Sequence, residues 1–296
     1  MLKRLACVAV LVTAGTSFAD PKFEYGKKEE LKKPVEYNAS VEAGAVFTTG
    51  NSETTTVTGG VKAARKKGDN KISFDASVAY ARSGQRVIND QNGNDMIDST
   101  DEITTIDQIT AETFAGKLRY DRFLTDFNSL YIAALASRDL PAGKKYVVGG
   151  QAGYSRRLYK SEKAEAVGEV GYDYSREELV GGNGVSIHSL RAFVGFKAEM
   201  TEGATFETSA EGLTNVNKEH LDTEGGDASF GDDTRVNVKA SISAKIGKNL
   251  AFQTSLEVHY DHRPAPLKID GLAMDYHPEA SRMDTIMKAS LIYTIF

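Results

Sequence analysis

The sequence holds one cysteine, Cys7, and no tryptophan. Cys7 lies in an apolar leader, so a processed chain would carry no thiol. That removes disulfides, thiol catalysis and cysteine-ligated zinc together. Past the first twenty positions no run of about eighteen apolar residues occurs, which excludes membrane-spanning helices. It does not exclude a membrane barrel, whose strands alternate and so hide from average hydropathy. A basic excess is missing too: 36 basic residues face 41 acidic ones, a net charge of −5. Without Lys3 and Arg4 of the leader the balance is 34 against 41, or −7. A nucleic-acid partner would call for a basic patch or stripe, and none is present.

The chain begins with two basic residues, Lys3 and Arg4, followed by an apolar stretch from Leu5 to Ala14 that is too short to span a bilayer. Ser17-Phe18-Ala19 then places small residues at −3 and −1 before Asp20. Residues 1–19 therefore read as a secretory signal peptide. Residues 20–36 are charged and without a steady period, as in a short periplasmic arm, within which Pro34 would stop a helical turn over Lys27–Lys33.

From residue 37 to 296 the text alternates apolar and polar with period two, the mark of half-buried strands. Twelve such segments are expected: 37–49, 54–66, 72–81, 107–122, 127–138, 144–159, 164–175, 186–200, 204–216, 235–246, 250–261 and 281–296. In 250–261, Leu250, Phe252, Thr254, Leu256, Val258 and Tyr260 share one face, and Gln253, Glu257 and Asp261 lie on the other. Tyr131 and Leu135 break the polar face of their segment. Short and longer connections alternate, and twelve strands put both chain ends on the short-turn side. The fold class implied is all-β: an antiparallel up-and-down transmembrane β-barrel of about twelve strands. The segments exceed the usual strand of about five or six residues, and a tilted spanning strand needs about nine to eleven. Without tryptophan, any aromatic girdle must be built from Tyr and Phe.

The polar faces carry the candidate lumen residues. Early strands supply Glu42 and Asp75, and segment 107–122 supplies Lys117 and Arg119. Segment 164–175 offers Glu165, Glu169 and Asp173, and the next offers Arg191, Lys197 and Glu199. Glu207 and Glu211 follow, then Arg235, Lys239 and Lys245. The last two segments add Glu257, then Asp284 and Lys288. Acidic and basic rows would face each other on neighbouring strands, which stabilises pairing and would narrow or occlude the lumen.

Residues 41–65, VEAGAVFTTGNSETTTVTGGVKAAR, contain Thr48–Thr54 with Gly50-Asn51 as a tight turn, then a Thr-rich strand. This hairpin, with the following KKGDNKISFDAS, resembles the salt-induced outer-membrane protein family, domain-of-unknown-function family 481. The resemblance is specific over residues 40–80 and becomes a general barrel pattern beyond. It implies an outer-membrane barrel and carries no activity. The ending LIYTIF resembles the assembly signal of outer-membrane proteins, although Tyr293 lies three positions before Phe296 where two is usual.

No enzyme is expected, nor any catalytic residue, cofactor or metal site. His188 shares parity with the lipid face of its strand, as the histidine of a barrel lipase would, but no Ser–Asn partner accompanies it. His259 and His262 sit near Asp261 at a strand end. The loop Asn89–Asp101 resembles a calcium loop but has Asp95 where the EF-hand needs glycine. The expected role is a narrow channel for ions or small solutes in the outer membrane. Alternatives are a structural envelope barrel and a surface-binding module through the acidic loops 84–106 and 217–233. A pore would leave lumen charge unpaired, and a structural barrel would pair it. Expected partners are outer-membrane lipid, lipopolysaccharide and the barrel-assembly machinery, with the protein itself a monomer.

Overall fold

The computed structural model describes residues 35–48, 54–88, 103–140, 142–180, 183–220, 226–265 and 281–295. The expected leader, most of the arm, the tip of the signature hairpin, the loop Asn89–Asp101 and Phe296 lie outside them.

Twelve strands follow in chain order: β1 (Glu36–Thr48), β2 (Thr54–Lys67), β3 (Asn70–Ile88), β4 (Ile103–Phe123), β5 (Asn128–Asp139), β6 (Lys144–Lys160), β7 (Ala164–Leu179), β8 (Val185–Thr201), β9 (Ala204–Asn215), β10 (Thr234–Lys245), β11 (Leu250–Asp261) and β12 (Met283–Thr294). Each pairs antiparallel with its sequence neighbours, and β1 pairs with β12 to close the barrel. Closure removes the open sheet edges that a bilayer cannot satisfy. Ser40 faces Thr294 across the seam and Ala43 faces Leu291, so both ends of the barrel wall lie on one rim. β1 and β2 stay in register up to Thr48–Thr54, which places the Gly-Asn turn at the opposite rim.

Several strands run longer than the periodicity indicated. β3 and β4 pair as far as Ile88–Ile103, so the connection between them shrinks to residues 89–102. β7 runs on to Leu179, although Glu177 was expected in a loop. Bulges interrupt the alternation along several of these strand pairs. Register shifts occur at Ala81/Arg82, Ser137/Asp139, Lys144/Tyr146, Arg157/Tyr159 and Glu199/Thr201. A bulge adds one residue and reverses the apparent alternation, while pairing continues.

The faces are inverted relative to a water-soluble barrel. Outward positions carry Val57, Val61, Phe74, Val78, Leu118, Ile132, Val170, Leu190, Val194, Ile242, Leu256 and Leu291, all large apolar and exposed. A continuous apolar belt of this kind has no favourable solvent in water and fits hydrocarbon. Exposed aromatics flank it. Tyr37, Tyr120, Phe127, Tyr159 and Tyr293 lie near the short-turn rim; Tyr80, Phe114, Tyr146, Tyr174 and Tyr260 lie near the other. The girdle is thus made of Tyr and Phe. A twelve-residue strand rises ~40 Å, or ~30 Å along the normal at a tilt of about 40°, which matches a bilayer core. The structure is an all-β, antiparallel transmembrane barrel of twelve strands.

Candidate functional site

The candidate site is the lumen, and it is filled unevenly. On β6, β7 and β8 most inward positions are buried, among them Gln151, Ser155, Glu169, Asp173, Glu177, Ser189 and Arg191. On β1, β2 and β3 the inward positions Ser40, Glu42, Gly44, Thr58, Gly60, Ala64, Ser73, Asp75 and Ser77 are only half-buried. Large charged side chains occupy the first arc; small or hydroxylated ones line much of the second, which also carries Lys62 and the buried Lys66 and Lys71 near its short-turn end.

The charges of the first arc form layers. In the middle, Arg119 of β4 reaches Glu169 of β7 at 2.7 Å and Asp121 at 2.7 Å. Arg191 of β8 holds Glu169 at 2.8 Å and Glu211 of β9 at 2.5 Å. Its Nη1 also donates to the Tyr131 hydroxyl of β5 at 2.8 Å. The Arg119 guanidinium lies 4.1 Å from the centre of the Tyr131 ring, close enough for a cation–π contact. Tyr131, which interrupts the polar alternation, is therefore the pivot of this layer and is 2% exposed. Arg119–Glu169 and Arg191–Tyr131 each join strands three apart, so these contacts cross the lumen.

A second layer lies near the long-loop rim. Glu177 of β7 binds Arg235 of β10 at 2.5 Å and Lys144 of β6 at 3.2 Å. Asp261 of β11 lies 3.6 Å from both cations, and Lys144–Asp261 joins strands five apart. Toward the short turns, Phe123, Val167 and Phe193 form a small apolar cluster inside the wall, and Arg157 binds Glu165 at 2.7 Å. Such pairs are weak evidence for net stability, because desolvation offsets attraction, but removing one partner of a buried pair costs several kcal/mol.

The remaining expected lumen residues are placed as follows. Lys117 donates to Gln151 at 3.1 Å, and Gln151 donates to Asp173 at 2.8 Å. Glu257 collects Lys239 at 2.8 Å and Lys288 at 3.0 Å. Lys197 meets Glu207 at 2.6 Å near the short-turn rim, where both are substantially solvated. Glu42 and Asp75 lie in the half-buried arc, and Asp284 stands opposite His259 at the long-loop end. Lys245 is the correction: it has inward parity but is exposed at the last position of β10, so it sits at the rim and does not line the lumen.

Sequence inspection missed Tyr131, Gln151, Asp121, Lys144, Arg157 and Glu177 as lumen groups. Glu177 was within reach, since it continues the row Glu165, Glu169, Asp173 at a spacing of four. His259 and His262 do not converge. His259 bonds the Asn237 side chain at 2.8 Å inside, while His262 bonds the exposed Tyr260. His188 faces outward, bonded to the Tyr172 hydroxyl and 4.9 Å from the Tyr174 ring.

Glu219, in the connection between β9 and β10, is 1% exposed, and neither carboxyl oxygen has a hydrogen-bond partner among the described residues. Burial, then the neighbouring Asp233 carboxylate, pushes its pKa up to about 8. Burial raises Asp233 as well. A carboxyl raised in the folded state contributes stability that is complete below its ordinary value near 4.5 and is lost as pH climbs through about 8. Backbone bonds tie Glu219 to Ala228 in both directions, at 2.9 and 3.0 Å. Hydrogen exchange at these two amides, corrected for intrinsic rate, is expected to accelerate at least about tenfold between pH 6 and 9. Glu219→Gln should flatten the profile; an equally steep profile in that variant would move the cause elsewhere.

Three solved structures are similar to this chain over most of its length, at TM-scores of 0.35 to 0.42. The NanC porin matches at 9% identity and a TM-score of 0.42, covering 87% of this chain and 98% of its own. The translocator domain of autotransporter NalP from Neisseria meningitidis matches at 14% identity and 0.40, covering 90% of each chain. A Pseudomonas aeruginosa FadL homologue matches at 9% identity and 0.35, covering 89% of this chain and 74% of its own. Among curated proteins nothing matches. The family model described as "Protein of unknown function, DUF481" matches residues 41–295, from the first strand of the barrel to the end of the last, and the chain belongs to that family.

Proposed function

We propose that this protein is a bacterial outer-membrane barrel that passes ions or small solutes through a narrow, off-centre path along the β1–β2–β3 wall. The supporting observation is the uneven filling of the lumen. Most inward positions of β1–β3 remain half-buried, with Thr56, Lys66, Lys71 and Ala81 buried, while β6–β8 are packed with cross-lumen ion pairs. The apolar belt with its two aromatic rims supports a bilayer setting, and the exported leader expected from the sequence supports the outer membrane. Acidic and basic side chains both enter the lumen, so weak charge selectivity is expected.

The test is single-channel conductance of the refolded barrel in a planar bilayer. Discrete small steps are expected. Ser77→Trp, on the half-buried inward face of β3, should reduce the step by half or more, whereas Val78→Trp on the lipid face should leave it unchanged. Silence from barrels shown to be folded would overturn the channel and favour a structural envelope barrel, for which the cross-lumen pairs are the specific support.

A further inference from the structure

Between the Arg191 layer and the Arg235 layer the inner face forms a partly enclosed bay that is open on one side. Its lining comes from strands β4 to β10, and none from β11, β12 or β1–β3. The uncovered side therefore faces the half-buried wall.

The charges in this bay are arranged unlike those above and below it. Arg235 is held by Glu177 and Asp233, and Glu211 is held by Arg191. Lys117 and Asp173 have no ion-pair partner within 4 Å among the described residues. Each is bonded instead to opposite ends of one neutral amide. Lys117 donates to Gln151 Oε1 at 3.1 Å, and Gln151 Nε2 donates to Asp173 at 2.8 Å. Lys117 is 6% exposed and Asp173 7%, so both charges are largely withdrawn from water. An amide dipole compensates two such charges only in part, and a full opposite charge at each would do so better. Beside them Leu135, Val147 and Leu213 give the same bay an apolar side.

We propose that the bay is a binding site for a small zwitterion of the α-amino acid class with an aliphatic side chain. The carboxylate sits toward Lys117, the ammonium toward Asp173, and the side chain against Leu135, Val147 and Leu213. The polarity repeats that of the Gln151 amide, whose oxygen faces the lysine and whose nitrogen faces the aspartate. A ligand with only one of the two charges would leave the other pocket charge uncompensated. Discrimination therefore comes from the pair and not from either residue alone. The site rests on the channel reading for its route of access, since its open side meets the proposed path.

The experiment is isothermal titration of the refolded full barrel in detergent micelles, where both rims meet solvent. The probes are L-leucine, 4-methylpentanoate, which lacks the ammonium, and 3-methylbutylamine, which lacks the carboxylate. Saturable binding of leucine is expected, with each single-charge analogue at least tenfold weaker. Lys117→Gln and Asp173→Asn should each weaken leucine at least tenfold, and the analogue series on the unsubstituted protein stands even if a variant fails to fold. Absence of saturable leucine binding, or equal affinity for all three probes, would overturn the site. Barrels that conduct in a bilayer without binding leucine would remove the site and leave the channel. Barrels that bind leucine but stay silent would do the reverse.

Discussion

Replacing Arg191 with methionine is expected to destabilise the barrel by about 3–5 kcal/mol, the usual cost of breaking a buried ion pair from one side. The volume is nearly conserved, so the loss is electrostatic. Glu169 keeps its two-point contact with Arg119, at 2.7 and 3.1 Å. Glu211 keeps only a long contact from the Asn237 amide at 3.3 Å and becomes a buried carboxylate that has lost its direct ion pair. The double replacement Arg191→Met, Glu211→Gln should therefore recover more than half of the loss, because it removes the stranded charge as well as its partner. The measurement is the urea midpoint of the refolded barrel with the slope of the transition held constant. A loss under about 1 kcal/mol would mean that water already compensates these groups, and the middle layer would then be no barrier. Because the same layer crosses the lumen, the variant should also widen the path and raise the unit conductance.

How far this arrangement was legible depends on which distance is asked about. Alternation in β11 assigns Phe252 and Leu256 outward and Glu257 inward, and the structure agrees. Pairing of sign between neighbouring strands was legible as well. Glu169 with Arg191, Lys197 with Glu207 and Lys239 with Glu257 are all neighbours. The contacts that cross the lumen were not. Arg119–Glu169, Arg235–Glu177 and Lys144–Asp261 depend on how closely non-adjacent strands approach across the lumen, which one-dimensional period cannot supply. Bulges hide further residues. After the shift at Arg157/Tyr159, Leu158 and Tyr159 both face outward, so a strict period of two fails there. Tyr131 and Leu135 were visible only as defects in a polar face, yet Tyr131 anchors the middle layer and Leu135 lines the bay. A residue that breaks the pattern of a barrel strand is thus a place to look for packing across the lumen.

The inner face is packed tightly along the wall as well, and at two neighbouring glycines a single methyl group should be costly. Gly153 of β6 and Gly171 of β7 stand opposite each other in register, both facing inward. A Cβ on Gly171 would lie 2.6 Å from the Ala152 carbonyl oxygen, 2.6 Å from the Tyr131 hydroxyl and 3.0 Å from Gly153 Cα. Neither glycine has a positive φ, so space alone forbids the methyl, and backbone conformation does not. Gly171→Ala is expected to cost about 1–3 kcal/mol, as overpacking of a filled interior does. Tyr131→Phe alone should cost about 0.5–1.5 kcal/mol, because only the hydrogen bond from Arg191 is lost. Combined, the two should show incomplete rescue. Removing the hydroxyl clears one obstruction, but the Ala152 carbonyl belongs to the strand itself and cannot turn away. Gly212→Ala, where a Cβ meets nothing within 4 Å, should change stability by less than about 0.5 kcal/mol. Urea midpoints of these four variants decide the matter. Full rescue by Tyr131→Phe would place all the crowding in the tyrosine tip, whereas a neutral Gly171→Ala would mean that β6 and β7 yield at this point and that the middle layer is not held by the wall behind it.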